Sequence, residues 1–265
     1  CAEWRRVVGG SAAYGRGLPP GRVEDVEYEG DEDERARVLK EITTALEKQG
    51  ESVLRLGSKR IGDEGAAVLG AALQAMPRIR FARLDLGSNE LTTTGVASLA
   101  PALRRPWGDG GLQELWLSES PLGDAGVAAL AKALPPTLEA LGIGETDCGD
   151  DGLVALAAAL PALTRLRSLD CNVNTAATAR GWVALAAALP SLPVLESLVL
   201  EGCTGMGAEG VAALAAAVPN CPQLRILELT ECELAAGQVS TLVALVRPPS
   251  DPRGMLLVNL DINHL

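Results

Sequence analysis

The stretch Leu112-Gln-Glu-Leu115-Trp-Leu117-Ser-Glu-Ser-Pro-Leu-Gly123-Asp-Ala-Gly126-Val127-Ala-Ala-Leu130-Ala-Lys-Ala-Leu134 contains the pattern on which the fold prediction rests. Apolar residues alternate at the end of its first part, which predicts a short strand with leucines on one face. In its second part, apolar residues recur three and seven positions after Val127, which predicts a helix with one apolar face. The stretch is therefore expected to form one strand followed by one helix.

The same pattern occurs nine times in 265 residues, about one copy per 29 residues. Aligned on the second apolar strand position, the copies are anchored by Val26, Leu54, Leu84, Leu115, Leu141, Leu169, Leu198, Leu227 and Leu260. A unit of this size cannot bury its apolar face alone, so consecutive units are expected to stack side by side. The repeats therefore predict an α/β solenoid, shaped as a horseshoe, with an inner parallel sheet and outer helices.

Local signals mark the turns and the helix starts within each copy. Helices are expected to begin at Gly62, Gly123, Gly149, Gly181 and Gly207. Asp124 is expected to accept hydrogen bonds from the N–H groups that the first turn of its own helix leaves without partners. Short side chains after the strands are expected to reach backbone groups in the bend; these are Asn89, Asn174, Cys203 and Cys232.

The repeat length and the motifs L-x-x-L-x-L-x-x-N/C and G-x-x-G-V-x-x-L-A-x-A-L resemble the ribonuclease-inhibitor-like class of leucine-rich repeat proteins. The resemblance covers about residues 23 to 265 and implies a leucine-rich repeat solenoid of about nine repeats, preceded by a basic arm at residues 1–22. It is less specific for function, because the class includes inhibitors, GTPase-activating proteins, immune receptors and assembly scaffolds.

Net charge indicates which kinds of partner to expect. The chain carries −11, and its first 22 residues contain four arginines and one glutamate, so the remainder carries −14. A surface of this sign repels phosphate backbones, which argues against nucleic acid and favours a protein partner with a basic surface. No apolar run approaches the roughly 18 residues that span a bilayer, so direct membrane insertion is not expected.

The residues that usually carry chemistry do not form a recognisable site. His264 is the only histidine, and the cysteines contain no C-x-x-C pair, so no catalytic group, metal site or cofactor is predicted. Gly205-Met-Gly207-Ala-Glu-Gly210 matches a dinucleotide-binding fingerprint, but Gly207 and Gly210 are this repeat's copy of the recurring glycine pair.

Cysteine usage favours an intracellular reducing compartment, namely the cytoplasm, the nucleus, or an organelle interior after removal of a transit peptide. Cys203 and Cys232 occupy the same position in consecutive copies, so a disulfide between them is geometrically conceivable. The alternative is that both are small buried turn residues, as the resemblance implies.

The inner face of the sheet is the main candidate for partner binding. Because side chains alternate along a strand, the residue between the last two anchors of each copy points to the concave side. This column is Glu27, Arg55, Asp85, Trp116, Gly142, Asp170, Val199, Glu228 and Asp261, and Glu201 lies in the next column. Trp116, beside Glu114 and Glu119, is expected either to anchor a partner or to pack into a turn, whereas Trp182 replaces a helical valine and is expected in the core.

Two insertions, at 104–111 and 247–254, lengthen loops between a helix and the next strand. Insertions in solenoids collect at one edge and can contact partners, or they can be neutral surface variation. Arg105 and Trp107 make partner contact the preferred interpretation for the first loop. The predicted partner-binding residues are Glu27, Arg55, Asp85, Glu114, Trp116, Glu119, Asp170, Glu201, Glu228, Asp261, Arg105 and Trp107.

These features predict a non-enzymatic protein-interaction scaffold that binds through an acidic concave face and edge loops. The last copy is followed by three residues only, and an uncovered apolar end is expected to need a cover, either from further sequence or from another subunit. A subunit of a larger hetero-complex is the preferred interpretation. One alternative is a GTPase-activating protein resembling the Ran-directed branch of the family, with Arg55 or Arg83 as active residues. Another is an inhibitor or immune-receptor recognition module.

Overall fold

The computed structural model describes residues 32–47, 53–75, 81–105, 111–248, 250–251, 254–261 and 263. Its helices are α1 (Glu32–Glu47), α2 (Gly62–Ala75), α3 (Thr93–Leu103), α4 (Gly123–Ala131), α5 (Asp150–Ala159), α6 (Ala179–Ala188), α7 (Gly207–Ala217) and α8 (Ala236–Val243). Its strands are β1 (Val53–Arg55), β2 (Arg83–Asp85), β3 (Glu114–Trp116), β4 (Ala140–Gly142), β5 (Ser168–Asp170), β6 (Ser197–Val199), β7 (Ile226–Glu228) and β8 (Leu257–Asn259).

The strands form one parallel sheet in chain order, β1 to β8. Each of the first seven strands has a leucine at its centre, and all seven leucines are fully buried: Leu54, Leu84, Leu115, Leu141, Leu169, Leu198 and Leu227. The register pairs each leucine with its equivalent in the next strand, for example Leu169 with Leu198. These leucines share one core with the apolar faces of the helices. The predicted α/β solenoid is thus confirmed, while the first predicted anchor, Val26, lies outside the described residues.

The predicted register of the last strand is wrong by two residues. Leu227 pairs with Val258 rather than with Leu260. The Asn263 amide donates to the carbonyls of Leu229 and Leu260 at 2.8 and 2.9 Å, so Leu260 occupies the third apolar position. Two apolar frames two residues apart both satisfy an alternating pattern, and the strand pairing together with these hydrogen bonds distinguishes them.

The register shift changes which residue lies beside Glu228. Asn259 is the register partner of Glu228, so it takes the position that was assigned to Asp261. Asp261 lies in the next column, where its carbonyl accepts a hydrogen bond from the Glu231 N–H.

Three helix N-termini receive hydrogen-bond acceptors from the preceding repeat, which corrects the prediction for Asp124. The Asp124 carboxylate accepts hydrogen bonds from the N–H groups of Gly149 (2.7 Å) and Gly152 (2.8 Å), at the start of α5. Two further aspartates make the same contact with the following helix, Asp63 with α3 and Asp150 with α6. Because the first N–H groups of a helix have no partner within that helix, these carboxylates join consecutive repeats.

This contact explains the second glycine of the helix motif. A Cβ atom at Gly95 would lie 2.4 Å from the Asp63 carboxylate, and one at Gly181 would lie 2.7 Å from that of Asp150. Gly181 is therefore the second glycine of its repeat and not the helix start that the pattern suggested. Helix α6 begins two residues earlier, at Ala179, and the Thr178 side chain caps it.

Replacing Asp124 with alanine is expected to lower the free energy of unfolding by about 1 kcal/mol, because two N–H groups of α5 lose their acceptor. Urea denaturation followed by circular dichroism measures the change. Asp151→Ala is the matched control, because Asp151 is exposed and pairs only with Arg180 on the surface, where ion pairs contribute about 0.5 kcal/mol or less. Equal losses for the two variants would contradict capping between repeats.

The polar turn residues form a buried row behind the sheet. Asn89, Ser120, Thr146 and Asn174 are almost inaccessible to solvent. The five cysteines in the described part of the chain are free and buried, so the turn-residue interpretation of Cys203 and Cys232 holds rather than a disulfide. Burial raises the pKa of the Cys148 thiol to about 12 and that of Cys232 to about 11. These cysteines are therefore protonated packing residues and not reactive thiolates.

Candidate partner-binding face

The side of the sheet opposite the helices, called here the open face, carries three columns of residues. Along each strand these residues alternate with the buried leucines. The first column is Val53, Arg83, Glu114, Ala140, Ser168, Ser197, Ile226 and Leu257; the second is Arg55, Asp85, Trp116, Gly142, Asp170, Val199, Glu228 and Asn259; the third is Gly57, Gly87, Ser118, Gly144, Asn172, Glu201, Thr230 and Asp261. Since the leucines hold each strand in register with the next, the columns are placed by the core rather than by loops.

Trp116 belongs to a cluster of four side chains on β2 and β3. The Arg83 guanidinium lies 5.3 Å from the centre of the Trp116 ring, a distance at which a cation and an aromatic face attract each other. Arg83 also pairs with Glu114 at 3.2 Å and with Asp85 at 3.6 Å. The Trp116 ring N–H donates to the Glu114 carboxylate at 3.3 Å. The polar groups of these side chains are therefore largely engaged within the chain.

The Trp116 ring lies sideways across β4, above a glycine. A Cβ atom at Gly142 would come within 2.3 Å of the ring, so only glycine permits this position. Gly144 is covered in the same way by Asn172 of the next repeat. Trp116 is half-buried, so it is neither packed into a turn nor fully exposed. Gly142 belongs to the predicted column, but nothing in the sequence indicates that the Trp116 ring of the neighbouring strand covers it.

The β5–β8 part of the face has a different chemistry. It carries the carboxylates Asp170, Glu201, Glu228 and Asp261. It also exposes Ile226 and Leu257, whose exposed fractions are 43% and 53%, with half-buried Val199 beside them. Burial raises the pKa of the Asp170 carboxyl, which a hydrogen bond from the Asn172 N–H only partly offsets. Ile226 and Leu257 were missed as candidates because leucine and isoleucine in a strand usually indicate core.

The remaining predicted residues lie apart from these two groups. Arg55 is exposed at the β1 end of the second column. Glu119 lies three residues after the end of β3 and accepts a hydrogen bond from the Ser88 hydroxyl at 2.6 Å. Glu27 and Trp107 are outside the described residues.

Arg105, predicted to contact a partner from an exposed loop, is half-buried instead. Its guanidinium donates to the Leu73 carbonyl near the end of α2, and burial lowers its pKa. The last carbonyls of a helix need donors from outside the helix. Arg105 thus supports the end of α2 and is not displayed by the loop.

None of the described helices combines the length and apolar character needed to cross a bilayer. In the same residues, no three His, Cys, Asp or Glu side chains are grouped so that they could hold a metal ion.

Comparison with known proteins supports the fold. The family model described as "Leucine Rich repeat" matches residues 83–100 and 191–215. The solved structure of the leucine-rich repeat-containing protein LegL7 from Legionella pneumophila is 17% identical, with a TM-score of 0.55 over 84% of this chain and 70% of that one. The tropomodulin C-terminal domain from Caenorhabditis elegans is 13% identical, with a TM-score of 0.45 over 58% of this chain and 92% of that one.

The family match falls on two of the strand and helix units, and the similarity to LegL7 extends over most of the chain. Each described strand forms one rung of a parallel sheet with its buried leucine in register, and helices follow the strands in alternation. The protein therefore has the fold of a leucine-rich repeat solenoid, similar to that of LegL7.

Proposed function

We propose that this protein is a non-enzymatic scaffold that binds a protein partner through its open face, as a subunit of a hetero-complex. The observation that carries the proposal is the face itself: eight strands present three columns of side chains that the rest of the described chain does not cover. Leucine-rich repeat folds generally serve as binding modules, and their stacked repeats create extended binding surfaces.

Rigidity supports the same proposal. Buried leucines and buried turn side chains fix each strand relative to its neighbours, so the face is ordered before a partner arrives. A preordered surface loses little conformational entropy on binding, and more of the contact energy then contributes to affinity.

Charge supports a basic protein partner over nucleic acid. The chain carries a net charge of −11, and such a surface attracts basic proteins while it repels phosphates. The five described free cysteines are in keeping with a reducing intracellular compartment as the proposed location.

Partner capture from native extract, followed by mass spectrometry, tests the proposal. Trp116→Ala and Asp170→Asn change the two parts of the open face, and at least one of them is expected to lose specific partners. Asp151→Asn on α5 is the matched control, since its side chain is exposed on the helix side. Circular dichroism verifies that the variants fold. Unchanged partners in both open-face variants, or the same loss in the control, would contradict binding through this face.

The GTPase-activating alternative would use Arg55 or Arg83. Arg83 is held by two carboxylates and the Trp116 ring, so its release would break several contacts. A GTP hydrolysis assay with small GTPases distinguishes the two functions, and the scaffold proposal expects no acceleration.

A further inference from the structure

The two halves of the open face differ in whether their charged side chains form ion pairs. In the β1–β4 half, Arg83 neutralises Glu114 and Asp85. Gly142 and Gly144 lie beneath the side chains of Trp116 and Asn172. In the β5–β8 half, Asp170, Glu201, Glu228 and Asp261 have no lysine or arginine at ion-pair distance within the described part of the chain. Four carboxylates therefore repel one another on one side of an otherwise charge-compensated surface.

Two nearby arginines in the described part of the chain interact with other groups. Arg167 pairs with Glu139 and Glu196 before the strands begin. Arg225 donates to the carbonyls of Pro222 and Leu224 and to the Gln223 side chain. Neither guanidinium neutralises the carboxylates of the β5–β8 half, so that negative charge is available to an outside cation.

Apolar and acidic side chains in this half occupy different columns. Ile226 and Leu257 are register partners in the first column, so they form one exposed apolar patch on adjacent strands. Glu201 and Asp261 lie in the third column, four residues further along their strands than the first column, which is about 13 Å. Glu228 and Val199 are register partners in the second column, which lies between the first and third columns.

We propose that the β5–β8 half of the open face binds an extended segment of a partner protein in which lysine or arginine alternates with apolar residues. The inference rests on the proposed function and names the chemistry of its partner. Side chains of an extended chain alternate between two sides, so a segment above the second column reaches both outer columns. Its apolar side chains contact Ile226 and Leu257, and its cations approach Glu201, Glu228 and Asp261.

Charge also distinguishes this partner from the other candidates for the face. A second copy paired symmetrically through the same surface would place the four carboxylates of both copies in one interface, since a two-fold contact uses the same patch on each copy. Burial already raises the pKa of the Asp170 carboxyl. A second negative charge nearby would therefore be unfavourable, whereas a nearby cation would stabilise the ionised carboxylate.

Fluorescence anisotropy with labelled twelve-residue peptides tests the proposal on the full chain. The probe alternates lysine and valine; a lysine and serine peptide and a glutamate and valine peptide are its controls. The triple variant Glu201→Gln, Glu228→Gln, Asp261→Asn is expected to weaken binding of the lysine and valine peptide by about tenfold, as several weak charge pairs together contribute about 1.4 kcal/mol. The matched triple variant Glu90→Gln, Asp151→Asn, Glu209→Gln removes the same charge from exposed positions elsewhere and is expected to change affinity by no more than about twofold.

A separate double variant tests the proposed apolar contacts. The double variant Ile226→Ser, Leu257→Ser keeps every charge. It is expected to weaken binding of the lysine and valine peptide by several-fold while leaving binding of the lysine and serine peptide unchanged.

Equal losses in the two charge variants, or equal binding of the glutamate and valine peptide, would overturn the proposal. So would self-association of the wild-type chain that the serine variant abolishes in sedimentation. Absence of peptide binding together with open-face-dependent partner capture would refute this inference and leave the proposed function standing.

Discussion

Replacing Asn174 with alanine is expected to lower the free energy of unfolding by about 3 to 5 kcal/mol. The Asn174 side chain is fully buried between two repeats. Its oxygen accepts hydrogen bonds from the N–H groups of Thr146 (3.2 Å) and Cys148 (3.0 Å), and its nitrogen donates to the carbonyls of Ile143 (2.9 Å) and Cys171 (3.0 Å). Alanine would leave these backbone groups buried without partners, at a cost of about 1 to 3 kcal/mol for each one that water cannot reach.

Equilibrium urea denaturation measures this loss, and Asn220→Ala is the matched control. Asn220 is exposed, and its side chain makes one hydrogen bond, to the Ala216 carbonyl at 3.2 Å. Its removal is expected to change stability by about 0.5 kcal/mol or less, as is usual for surface positions. Similar losses for the two variants would mean that the buried row of turn residues contributes little to holding the repeats together.

The second large effect is expected for Leu198→Ala, at about 2 to 5 kcal/mol. Leu198 is the fully buried centre of β6, with Leu169 and Leu227 as its register partners on either side. Shortening it removes apolar contacts to both neighbouring repeats and leaves a cavity in the middle of the stack. Stability in a solenoid depends on contacts between neighbouring repeats, so a broadened unfolding transition is also expected.

Leu257→Ala is the matched control for Leu198→Ala. Both leucines belong to the same sheet, but Leu257 is on the open face with 53% of its surface exposed. Its truncation is expected to cost about 0.5 kcal/mol or less. Thermal and urea unfolding of both variants provide the comparison, and a large loss at Leu257 would show that the open face is covered in the isolated protein.

The parallel sheet and its buried leucines were predictable because nine copies of one pattern repeat the same alternation, and every copy must bury the same face. Where two alternating frames compete, as at Val258 and Leu260, the pattern is ambiguous. The hydrogen bonds of Asn263 to the preceding repeat decide that case.

Several side-chain partners were not predictable, because they come from different repeats. Asp124 caps the following helix and not its own, although the spacing within its own repeat fits a local cap equally well. Arg105 supports α2 of an earlier repeat rather than a loop surface. A pattern within one repeat shows which groups need partners, but the distance between repeats determines which group supplies them.

For the candidate site, alternation along the strands was enough to predict that Asp85, Trp116, Asp170 and Glu228 share one face. It could not show that Arg83 engages Trp116 or that Gly142 accommodates the ring. Nor could it separate the charge-compensated half of the face from the acidic and apolar half. The sequence by itself determined the repeat, the sheet and the residues of its inner columns, because side-chain alternation is a local property of the backbone. Only the tertiary structure decided which charges are neutralised and which apolar side chains remain exposed, since both depend on neighbours about 30 residues away in the chain that stacking brings within a few ångströms.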